Sequence, residues 1–120
     1  MKRIIPSDIY REIPCSVVAL GCALGITSKN DLEGLFSDEL KADGYLSLNG
    51  MNKLIRAHTD VKKKENYKRG QRPALRDFAH AHLGQKAVIC VAGHFIYFDG
   101  KDYHSFFWNG GDPVISVWYV

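Results

Sequence analysis

Cys15 follows a proline at the head of an apolar stretch, Ile13-Pro14-Cys15-Ser16-Val17-Val18-Ala19-Leu20. Far downstream, His94 follows a glycine in Val91-Ala92-Gly93-His94-Phe95-Ile96-Tyr97-Phe98. A thiol at a helix N-terminus meets the positive end of the helix dipole and unpaired N–H groups, and both favour the thiolate. An imidazole arriving from a distant strand can take the thiol proton and orient the sulfur. The chemistry this pairing offers is acyl transfer. Cys15 attacks a carbonyl and forms an acyl-enzyme, and His94 acts as base and then as acid. The first N–H groups of the helix, that of Cys15 included, are placed to stabilise an oxyanion.

Two kinds of element must bring these residues together. A first helix begins near Pro14, because proline is well tolerated at the first helical position. Its residues Val17, Val18, Ala19, Leu20, Cys22, Ala23 and Leu24 are apolar nearly all round, so it is central and buried. A second helix is expected over Asp31 to Ala42, capped by Ser28 or Asn30, with Leu32, Leu35, Phe36 and Leu40 inward. A third follows Ser47 or Asn49 and carries Met51, Leu54 and Ile55. Residues 61–72 are polar and basic and read as a loop. A fourth helix starts at Pro73 and runs to about Leu83.

The last third changes period. Ala87 to Ala92 and Phe95 to Phe98 read as strand, and Asp99-Gly100 signals a two-residue hairpin. Lys101 to Trp108 returns as a strand, and Val114 to Val120 forms the last. The expected architecture is α+β, with N-terminal helices packed on a C-terminal antiparallel sheet, in a single domain spanning 1–120.

Composition fits that picture. An apolar fraction of 46%, a charged fraction of 24% and a net charge of +3 are ordinary for a globular chain. Cys15 and Cys22 share one helix about 10 Å apart along its axis, too far for a disulfide. Three free thiols suit a reducing compartment. No run approaches the roughly 20 apolar residues that span a bilayer. Met1-Lys2-Arg3-Ile4-Ile5-Pro6 has no apolar core of a signal peptide. The expected location is cytoplasmic, in the producing cell or in a host if the protein is phage-borne or injected.

The order of these features resembles the papain-like cysteine peptidase superfamily, and within it small bacterial and phage domains related to bacteriocin-processing peptidases. The likeness rests on Pro14-Cys15-Ser16, on Gly93-His94-Phe95-Ile96-Tyr97-Phe98-Asp99-Gly100, and on Trp108-Asn109-Gly110-Gly111-Asp112. It implies a papain-like fold and peptidase, amidase or deamidase chemistry on a peptide or protein substrate. Family members usually place an asparagine or aspartate after the histidine to fix its tautomer. Asn109 is the only carboxamide downstream of His94, fifteen residues on, and is the third catalytic candidate. Ser105 and His104 are the alternatives. A two-residue turn pairs Phe98 with Lys101 and so sets His94 opposite Ser105, while a bulge would bring His104 there. Trp108 is a candidate shield for the histidine pair. Family members often carry a glutamine about six residues before the cysteine, contributing to the oxyanion hole. Here that position is Ile9, flanked by Asp8, Tyr10 and Arg11.

Other residues carry less. Cys22 and Cys90 read as small core hydrophobes. His80 and His82 point to different faces of one helix and make a poor metal pair. His58 has no role. No metal or cofactor is implied. The run 62–72 holds six basic residues and one acid. It reads as a solvated loop, or as a contact for an acidic partner or a nucleic-acid backbone. Tyr67 is its one aromatic, so the stacking signature of single-strand binding is weak. Two functions follow: a cysteine hydrolase built on Cys15 and His94, or a catalytically inactive papain-like module that binds a protein partner through the loop 62–72. Oligomeric state is left open.

Overall fold

In a computed structural model, residues 2–35, 47–107 and 110–120 are described. Four α-helices are described: α1 (Cys15–Leu24), α2 (Lys29–Glu33), α3 (Leu48–His58) and α4 (Leu75–Ala81). A short 3-10 turn, Asp8–Tyr10, precedes α1. Six strands, β1 (Arg3–Ile4), β2 (Lys63–Asn66), β3 (Ala87–Val91), β4 (His94–Phe98), β5 (Tyr103–His104) and β6 (Val114–Tyr119), form one sheet in the order β1-β5-β4-β3-β6-β2.

The expected α+β class holds in its coarse form, and three details differ. The sheet is mixed, because β1 runs parallel to β5. Helices cover both faces, whereas a single helical layer was expected. Part of the basic run is strand: Lys63–Asn66 pairs antiparallel with Tyr119 to Ser116, and Ser116 Oγ donates to Asn66 Oδ1 at 2.8 Å. β2 is possible there because its outer side is an edge, where exposed lysines are common and discourage further pairing.

Alternation along the strands explains the two-sided core. Val88, Cys90, Phe95 and Trp118 join α1 and α3 on one face. Ala87, Ile89, Val91, Ile96, Phe98, Val117 and Tyr119 meet Leu75, Phe78 and Ala79 of α4 on the other. β3 is therefore buried along its whole length. Trp118 is fully buried and its indole N–H donates to Asn52 Oδ1 at 2.9 Å, which ties β6 to α3. Ser28 and Ser47 cap α2 and α3 through Asp31 N and Gly50 N. The expected second helix is described only to Glu33; Phe36 to Ala42 lie outside the described residues.

The chain before α1 is locked to that helix. Tyr10 is buried, and its hydroxyl donates to Ile26 O at 2.6 Å. Its ring lies on Gly21, where an added Cβ would sit 2.6 Å from Tyr10 Cε1. No side chain fits there, and an aromatic ring anchored at both ends cannot swing aside. Gly21→Ala is expected to destabilise the fold by about 1–3 kcal/mol, the usual cost of overpacking. A urea midpoint unchanged from the wild type would show that this clamp is not needed.

Candidate active site

α1 begins at Cys15, with Pro14 as the residue before its first turn. Val17 N and Val18 N both donate to Pro14 O at 3.0 Å, while no acceptor for the N–H groups of Cys15 and Ser16 is found among the described residues. Two donors are thus open at the head of a ten-residue helix. Just upstream, Glu12 has a φ of 62°, the left-handed region, where a side chain costs about 1–2 kcal/mol. Such strain concentrates at functional sites.

His94 is the first residue of β4. It follows the two-residue turn Ala92-Gly93, in which Val91 pairs with His94 and Gly93 takes a φ of 70°. α1 packs across β4, so the two residues separated by most of the chain face shared ground. Cys15, His94 and Phe95 line two adjoining cavities. One, of about 260 Å³, is completed by Pro14, Ser16, Ser47, Leu48, Cys90, Gly93 and Ile115. The other, of about 250 Å³, includes Ile13, Val18, His104, Ser105, Phe106 and Phe107. Ile115 reaches the first wall through a bulge: Cys90 pairs with Ser116 but Val91 pairs with Val114, leaving Ile115 extra.

His94 Nε2 lies 3.1 Å from Ser105 Oγ, and that oxygen also accepts from Phe107 N at 3.1 Å. Burial pushes the His94 imidazole below its ordinary value, and the charge of Asp112 opposes this less strongly. The ring is therefore neutral at pH 7. Phe107 meets it edge-on with ring centroids 5.6 Å apart. Burial also pushes the Cys22 and Cys90 thiols up to about 11, so both stay protonated.

Of the three alternatives for a third member, Ser105 is the one described in contact with His94. Its route there differs from the one expected. The turn after Phe98 is four residues long, with Asp99 Oδ1 accepting from Lys101 N and Asp102 N. Phe98 consequently pairs with Tyr103, not Lys101. The register slips by two, which preserves the face, and Ser105 reaches His94 diagonally. His104 turns away to Asp99 Oδ2 at 2.9 Å. Asn109 and Trp108 lie outside the described residues. The ring that meets the His94 edge among the described residues is Phe107, which the register places opposite His94.

No family model, curated protein or solved structure matches this chain. Its chemistry must be argued from its own residues. The upstream positions bring no donor to the site: Ile9, Tyr10 and Arg11 line neither cavity, Tyr10 donates to Ile26 O, and Arg11 Nε donates to Asp8 Oδ1 at 2.9 Å. Ser16 is 2% exposed, and its hydroxyl has no hydrogen-bond partner among the described residues. An orphaned buried hydroxyl costs about 1–3 kcal/mol. No group of three His, Cys, Asp or Glu among the described residues could hold a metal ion. His82 is stacked on Phe78, with Nδ1–H donating to Phe78 O at 2.8 Å, and His58 and His80 are exposed. No described helix is long and apolar enough to cross a membrane.

His94 has a sign-definite effect on stability. Its folded value is depressed, so between that value and the ordinary one of about 6.5 the unfolded chain binds more protons there. Its contribution is present above pH 6.5 and fades as pH falls through the folded value. Urea titrations of His94→Gln should show a shallower loss of stability over this window than the wild type. Identical slopes would mean that His94 is not buried as a neutral ring.

Proposed function

We propose that this chain is a papain-like cysteine hydrolase acting on peptide or amide bonds, with Cys15 as nucleophile and His94 as base. The observation that carries the reading is that Cys15 and His94, distant in sequence, line the same two cavities. Ser105 is the orienting member. In the tautomer this chemistry uses, His94 Nε2–H donates to Ser105 Oγ and Nδ1 keeps the lone pair that receives the thiol proton.

The reaction begins with His94 uncharged. As Cys15 Sγ bonds to the carbonyl carbon, its proton passes to His94 and the carbonyl π pair moves to oxygen. The oxyanion is held by the open N–H groups at the head of α1. Collapse expels the amine, which takes the proton from His94, and leaves a thioester on Cys15. Water, deprotonated by His94, then releases the acid. Two cavities meeting at the thiol supply room for the acyl part and the leaving group. In the basic run, Lys63 Nζ pairs with Glu65 and lies over Tyr119 and Lys64 Nζ lies over Trp118, while Lys62, Lys68, Arg69 and Arg72 are exposed.

Iodoacetamide labelling tests the pairing, with Cys22 and Cys90 as internal controls. Cys15 should alkylate fastest in the wild type, with an acidic limb below the ordinary histidine value, and His94→Ala should slow it by about 10²–10⁴-fold. Labelling of Cys15 no faster than that of an ordinary thiol, whose pKa is about 8.5, would contradict the reading. It would favour an inactive module that binds a protein partner.

A further inference from the structure

Papain-like enzymes often draw an oxyanion donor from a glutamine upstream of the cysteine, and Ile9 stands at that position here. Its neighbours Tyr10 and Arg11 line neither cavity beside Cys15. The head of α1 nevertheless holds a donor without a task. Ser16 is buried, belongs to the wall of the larger cavity beside Cys15, and leaves its hydroxyl unpaired among the described residues. Ser47, on the same wall, accepts from Gly50 N and is exposed, so its hydroxyl proton has water to bond, whereas that of Ser16 is enclosed.

We propose that the Ser16 hydroxyl is the side-chain donor of the oxyanion hole, acting with the N–H groups of Cys15 and Ser16 on the tetrahedral intermediate. This rests on the hydrolase reading above. The physical case is one of partner and place. A buried hydroxyl without an acceptor is a donor waiting for one. At rest the Ser16 Oγ is enclosed, and its single heavy-atom torsion is the one movement the role asks of the side chain. The negative oxygen forms beside Cys15, where the helix dipole and two open N–H groups already favour an anion. A hydroxyl hydrogen bond to a developing oxyanion is made in the transition state and not in the resting enzyme, which is the condition for a gain in rate.

Two small reagents separate this role from the reactivity of the thiol itself. Iodoacetamide alkylates Cys15 by displacement of iodide and forms no oxyanion. p-Nitrophenyl acetate acylates it: sulfur bonds the acetyl carbon, a tetrahedral oxyanion forms, and the carbon–oxygen bond breaks as p-nitrophenolate leaves. The thiol proton goes through His94 to water. In Ser16→Ala the burst rate of acylation at Cys15 should fall by up to about a hundredfold while alkylation stays within about twofold. Ser16→Thr, which keeps the hydroxyl, should recover most of the acylation rate. The thermal midpoint of Ser16→Ala should not drop, because an unpaired buried hydroxyl has been removed. Acylation and alkylation falling together, or acylation unchanged in Ser16→Ala, would overturn the proposal and leave the hydrolase reading intact. A wild-type Cys15 that alkylates in a His94-dependent way yet acylates no faster than Cys22 would overturn the proposal and count against the hydrolase reading as well. Alkylation independent of His94 would instead remove the hydrolase reading and this proposal with it.

Discussion

Everything in the proposed site depends on one packing contact, α1 lying across β4. The helix is apolar nearly all round, and Ser16 to Gly21 are buried, so it has no solvent face on which to slide or roll. Tyr10 closes on it from the N-terminal side through Gly21 and Ile26. β4 is held between β3 and β5. The head of α1 and the first residue of β4 are therefore set against each other by two cores, one on each side of the sheet. Preorganisation of this kind is what the proposed pairing of Cys15 with His94 requires.

The same packing sets the electrostatics. Burial favours the uncharged forms of the groups around the cavities. It keeps Cys22 and Cys90 as thiols and His94 as a neutral imidazole. His94 is oriented by a serine hydroxyl, which fixes a tautomer without supplying the negative charge of a carboxylate. In the proposed reaction, a neutral imidazole has the open lone pair that proton removal requires. Phe107 over the ring edge keeps the local surroundings apolar.

Much of the layout was legible in the residues. Pro14, the apolar run behind it and Gly25 mark α1 because each acts locally. The same holds for Ser47 before α3. What the sequence hid was long-range. β1 is two residues long and exists only because β5 is beside it, so no periodicity announces it. β2 carries Lys63, Lys64 and Glu65, a composition that reads as loop until an edge of the sheet is there to receive it. The Asp99-Gly100 pair looks like a two-residue turn, yet the Asp99 carboxylate organises four residues by bonding Lys101 N and Asp102 N. Ser105 was still found because a slip of two keeps side-chain parity. Ser16 carries no sequence signal at all, since an orphaned hydroxyl is visible only once its surroundings are.

The most direct test of the central claim is nitrogen-15 NMR of the His94 imidazole, in the wild type and in Cys15→Ala. The account predicts the Nε2–H tautomer at neutral pH, a titration below the ordinary value of about 6.5, and a Nδ1 chemical shift that moves when the neighbouring Cys15 sulfur is removed. A Nδ1–H tautomer, or a Nδ1 shift indifferent to Cys15, would contradict it.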